Sequence, residues 1–208
     1  MGDLLSVLGL GQFGNNSHPI HPATVHMPIT FLIAASAMDM ITAIGLRSPS
    51  LLFPLMKITT SSGYPNALDE VALLKYLSLF SYASTVAAIL TSFPALATGI
   101  AELYAMVSAK GLDLSDPVIK TTLIHAALND VAIAGAFYNW LTRRGRTGYE
   151  VQSGNILTSA AMLVGIIYSA YLGGSLVYTH GVAVQRMGEG KKEKEKGERT
   201  KPKDKKEL

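Results

Sequence analysis

Five histidines carry most of the chemistry that this chain of 208 residues offers, and three fall in one stretch, His18-Pro-Ile-His21-Pro-Ala-Thr-Val-His26-Met-Pro28. The other two are His125 and His180. Neutral imidazole is a good ligand for zinc, copper and iron, haem iron included. Two histidines on facing helices grip one haem in membrane b-type cytochromes. Here the expected pair for a haem b is His26 with His125, because both fall inside helices at similar depth. His21 and His180 would then be supporting or propionate partners. A single transition-metal ion would instead draw on His21, His26, His125 and His180, with Glu102 nearby. A plainer role is structural, the histidines hydrogen-bonding to Glu102, Asn129 or backbone groups and tying helices together. A third role, proton transfer or small-solute transport, needs a polar path as far as Asp39, and the sequence gives no continuous row.

Other chemistries are excluded or unsupported. With no cysteine, there are no disulfides, thiolate metal sites or thiol nucleophiles. No HExxH motif, nucleophile elbow, phosphate loop or dinucleotide fingerprint is present, so catalysis is not the expected role.

The elements that must position these residues are membrane helices. Of the 33 Asp, Glu, Lys and Arg, 16 fall in the last 23 residues, Arg186 to Leu208. The first 185 residues therefore carry about 9% charge, well below the roughly 25% of ordinary globular domains. The basic balance belongs to the tail and says nothing of nucleic acid. Four helices are expected, at about 23–46, 71–106, 117–141 and 155–179. Each is long enough for a hydrocarbon core about 30 Å thick at 1.5 Å per residue. Pro28 lies just inside the first. Pro94 and Gly99 lie inside the second, where tilt or a kink is expected. The third opens on Pro117 and closes near Trp140, an expected interface anchor. In the fourth, Ala161, Gly165, Ser169 and Gly173 recur every four residues, a small-residue stripe suited to close helix packing.

The fold class is thus all-α, a four-helix transmembrane bundle with both termini on one side. Residues 1–17 form a flexible or interfacial lead-in, 18–184 the membrane domain, and 185–208 a disordered Lys/Glu-rich tail. Met1-Gly2-x-x-x-Ser6 fits the loose myristoylation pattern, although Asp3 beside the glycine disfavours it. This topology puts all five histidines and Glu102 near one membrane face. His26, Glu102 and His125 fall inside the outer third of the bilayer, where an ionisable group is costly unless it faces the bundle interior and finds a partner. Asp39 and Asn139 fall nearer the other face, to pair with each other or with Arg143, Arg144 and Arg146 as structural glue.

Four segments together resemble a known family: His21-Pro-x-x-Val-His26-Met-Pro-Ile, Phe93-Pro-Ala-x-x-x-Gly99-x-x-Glu102, His125, and Gly173-Gly174-x-Leu-Val-Tyr178-x-His180-Gly181-Val. They look like the domain of unknown function 2231 family of four-helix membrane proteins, over about residues 18–184. The resemblance implies four membrane helices and a histidine-marked end, and it carries over His21, His26, Glu102, His125 and His180. Family members occur in bacteria and fungi, and some are fused to cytochrome-like domains, which implies a redox or haem role but no established activity. The expected partners are the lipid bilayer and a redox partner or other membrane protein, with self-association open. The tail lies outside the resemblance and suggests a eukaryotic form. Its end, Lys205-Lys206-Glu207-Leu208, resembles a dilysine signal and points to the endoplasmic reticulum. Loop Lys and Arg alone favour the Arg47/Arg143 face in the cytosol, while the charged tail favours the histidine face.

Overall fold

The structure, a computed structural model, describes residues 9–13, 16–52 and 70–185, with 191–192 and 195–196. Most of the expected lead-in, the loop after Leu52 and most of the tail lie outside these. The described architecture is helical apart from one antiparallel pair of two-residue strands, β1 (Gln12–Phe13) and β2 (Asn16–Ser17).

A single turn of helix, α1 (Ile20–Thr24), precedes α2 (His26–Arg47). The expected first helix is thus split at Val25, which keeps right-handed helical angles. The cause is local: Pro28 has no N–H to give to Thr24, so one helical bond is missing. Thr24 turns its hydroxyl back onto the carbonyl of His21 at 2.9 Å. α2 stops at Arg47, a cation in the last turn, followed by a 3-10 turn, Pro49–Leu52.

The second helix, α3 (Glu70–Lys110), has 41 residues and continues through Pro94. At 1.5 Å per residue it is about 60 Å long, twice what a span needs. Gly111 ends it in the left-handed region at φ +79°, where a side chain would be disfavoured. α4 (Pro117–Arg143) starts with proline at its first position. The Asp116 carboxylate caps it by accepting from the backbone N–H of Val118 at 2.7 Å. After a 3-10 turn at Thr147–Tyr149, α5 runs over Ser153–Tyr178.

Among the described residues, three stretches are long and apolar enough to cross a membrane: Ile20–Arg47, Val71–Ala109 and Ser153–Tyr178. The expected third crossing, α4, has the length, but His125, Asn129, Asp130 and Asn139 lower its mean hydropathy.

The chain divides into two compact units. One comprises residues 26–93 and 126–169, with a core built from all four long helices: Leu32 of α2, Ala88 and Ile89 of α3, Ala132 and Ala136 of α4, and Met162 and Ile166 of α5. Trp140, expected at the interface, packs against this core. The unit is polar inside and apolar outside. Ser36, Asp39, Ser81, Thr85, Asn139, Arg143, Asn155 and Ser159 are buried, while Ile44, Phe80, Leu90, Val131, Leu157 and Val164 are exposed. A water-soluble fold has the reverse bias. In hydrocarbon the outside must be apolar, and polar groups go inward to find partners. The other unit comprises residues 1–25, 94–125 and 170–208, and it holds four of the five histidines.

Candidate functional site

In this second unit, α1 delivers His21 to α3. The ring Nδ1 lies 3.1 Å from the carbonyl oxygen of Ala95 and 3.1 Å from the hydroxyl of Thr98. A carbonyl only accepts, so Nδ1 carries the proton. That leaves Nε2 as the lone-pair nitrogen of the neutral ring, the tautomer in which a ligating histidine is held. Thr98 is in turn 3.0 Å from the hydroxyl of Thr24, to which it can donate. One turn of α1 is therefore stitched to α3 through two threonines and one imidazole.

The two glycines of the motif have a physical explanation in the histidines. A Cβ placed on Gly99 would lie 3.0 Å from Cε1 of His21, and one placed on Gly173 would lie 2.9 Å from Cε1 of His125. Each imidazole fills a notch that only a missing side chain leaves open. His21 and His125 are also within electrostatic range of one another. Glu102 is buried one turn beyond Gly99. His180 is half-buried just past α5, where Gly181 at φ +63° turns the chain and the N–H of Val182 donates to the carbonyl of Leu176 at 3.0 Å.

His26 departs from expectation. It falls in the other unit with its side chain exposed, and its carbonyl accepts from the hydroxyl of Thr30 at 2.7 Å. It is His21 that lies within electrostatic range of His125. Nor is the five-residue metal set gathered: among the described residues, no three of His, Asp or Glu stand where they could hold one ion. His18 is exposed.

The small-residue stripe of α5 divides. Ser169 is buried and accepts from Asn129 at 2.8 Å. Gly173 receives His125. Ala161 and Gly165 instead line an open groove of about 450 Å³ between α4 and α5.

The first unit contains a second polar constellation that the sequence indicated only in part. Asp39 of α2 and Arg143 at the end of α4 form a fully buried ion pair at 3.2 Å. The Arg143 side chain also donates to the carbonyls of Ser78 and Tyr149, each at 2.9 Å. Asp39 accepts from the hydroxyls of Ser81 and Ser159, the latter at 2.6 Å. Asn139 donates to Ser159 at 3.0 Å, and Asn155 donates to Asn139 at 3.0 Å. Tyr82 and Tyr149 stack at 4.1 Å, with Arg143 over the Tyr82 ring. That stack, with the Arg143 bond to its carbonyl, holds Tyr149 at a left-handed φ of 55°. Every long helix contributes, and the charges are satisfied within the network, as a structural clamp requires. A lone Asp39 inside an apolar run signals that a cation must reach it. Nothing in the sequence singles out Ser81 or Ser159 among so many serines.

No curated protein and no solved structure matches the chain. A family model described as "Predicted membrane protein (DUF2231)" matches residues 17–186. The apolar exterior, the histidine segments and this match over most of the sequence lead to one conclusion: the chain belongs to the DUF2231 family of membrane proteins.

Proposed function

We propose that the protein crosses the membrane four times, with both termini on one side, and that His21 and His125 are the two protein ligands of one haem b used in electron transfer or redox sensing. The observation that carries this reading is the His21 ring, its Nδ1 tied to the Ala95 carbonyl and its Nε2 lone pair available, within electrostatic range of a second imidazole. A haem would supply one-electron chemistry. The chain's own part is to fix the ring tautomer through Ala95 and Thr98, to hold both rings by glycine contacts, and to exclude water with buried helix surfaces. In the crossing of α4, its polar side chains Asn129 and Asn139 are inward and paired, so their cost to hydropathy is not a cost in lipid.

A second reading has its own observation. The same two rings fill glycine notches, as knobs that lock α1 onto α3 and α4 onto α5 would. In this reading the pair is structural and binds nothing. The two separate in one experiment. Protein expressed with haem and metals available is purified in detergent, and its visible spectrum and metal content are measured. A Soret band with about one iron per chain is expected; a colourless, metal-free protein establishes the structural reading.

A further inference from the structure

Asp130 sits at the middle of α4, thirteen residues from either end, and its side chain is exposed. Its neighbour Asn129 and the later Asn139 bond inward to serines of α5. Asp130 lies half a turn round the helix from Asn139, on the outer side. Among the described residues it has no hydrogen bond or ion pair. Ala127 and Ala134, one turn before and one turn after it, are exposed on the same strip. Beside this strip runs the α4/α5 groove, lined by Val131, Ala134, Gly135, Tyr138, Ala161 and Gly165. A Cβ on Gly165 would meet no atom within 4 Å.

We infer that this strip is the surface through which two copies of the chain associate in the membrane, with Asp130 of each copy meeting its counterpart across a two-fold axis. The inference rests on the reading that α4 crosses the bilayer. At mid-span an acid facing hydrocarbon is strongly disfavoured, and such residues pair. A carboxylic acid is its own complement: one protonated group donates to the other's carboxylate, and facing acids share a proton in this way. A two-fold axis places the same patch on both sides of the contact. Alanines one turn above and below the acid let the two backbones approach closely, and the groove beside them accepts side chains of the second copy. A different membrane protein with a basic or amide side chain at mid-depth is the competing occupant.

The chain has no cysteine, so single-cysteine variants report cleanly. The full-length protein is reconstituted alone into liposomes. Under mild oxidation, Ala134→Cys is expected to give mostly covalent dimer, while Leu90→Cys, exposed on α3, gives little. Adding Asp130→Leu to Ala134→Cys should lower crosslinking at least ten-fold, and Asp130→Asn, which keeps a hydrogen-bonding group, should preserve most of it. A water-soluble maleimide should leave Asp130→Cys unlabelled until detergent is added. Absent crosslinking at Ala134→Cys, or equal crosslinking at Leu90→Cys, overturns the dimer contact while the crossing of α4 stands. Labelling of Asp130→Cys in intact liposomes overturns the crossing and the contact together.

Discussion

At the scale of single residues, the site is a matched set of histidines and glycines. His21 occupies the space a side chain on Gly99 would need, and His125 the space of one on Gly173. Gly99→Ala and Gly173→Ala each force a ring or a helix to give way. Overpacking of this kind costs about 1–3 kcal/mol. Thermal unfolding in detergent should therefore show both variants below the parent, with Gly174→Ala close to it, since a Cβ there meets nothing within 4 Å. Two equal melting temperatures for Gly173→Ala and Gly174→Ala would remove the notch from the account. Outside the membrane, Asp113 is held below its ordinary 3.8 by the hydroxyl and N–H of Ser115. A depressed carboxylate stabilises the folded state above its unfolded pKa, and that contribution is lost as the pH falls through the lower native value. A side-chain titration followed by NMR should place Asp113 below 3.8, and Ser115→Ala should move it back up. The histidines were plain in the sequence, but the cluster expected of them is not gathered among the described residues: a helical register places His26 at the right depth, while the break after Val25 leaves it exposed and turns His21 against α3.

At the scale of elements, α4 carries residues of both constellations, His125 in its first half and Asn139 and Arg143 near its end. Its start was legible from Pro117, and the structure adds the capping bond from Asp116. Replacing Asp116 by alanine should cost about 1 kcal/mol, the usual loss for an N-cap, read as a lower unfolding midpoint with unchanged helix content in the parent buffer. The ends of the remaining helices were legible to within a few residues from Pro and Gly. The polar character of α4 was visible too, but its meaning depends on direction. Asn129 and Asn139 bond inward and Asp130 faces out, a distinction that one-dimensional composition does not carry. The α5 stripe shows the same limit. Four small residues at one spacing serve three purposes: a hydrogen bond at Ser169, an imidazole notch at Gly173, and an open groove at Ala161 and Gly165.

At the scale of the whole molecule, the unit of residues 26–93 and 126–169 turns apolar side chains outward and is tied inside by polar contacts, among them the fully buried Asp39–Arg143 pair. Removing one partner of a buried pair leaves the other uncompensated and costs about 3–5 kcal/mol. Arg143→Met and Asp39→Leu should each lower thermal stability sharply, while the double variant recovers much of the loss. Additive losses would mean that the two charges do not depend on each other. The membrane class and the helical architecture followed from the sequence because composition and length decide them. The function turns on whether two imidazoles in glycine notches hold a haem, and the most direct test is the visible spectrum of the detergent-purified protein across three variants. A Soret band is expected that is lost in His21→Ala and in His125→Ala and kept in His26→Ala, whose ring is exposed. A band that survives the first two substitutions, or one lost only with His26, would overturn the assignment of His21 and His125 as the haem ligands.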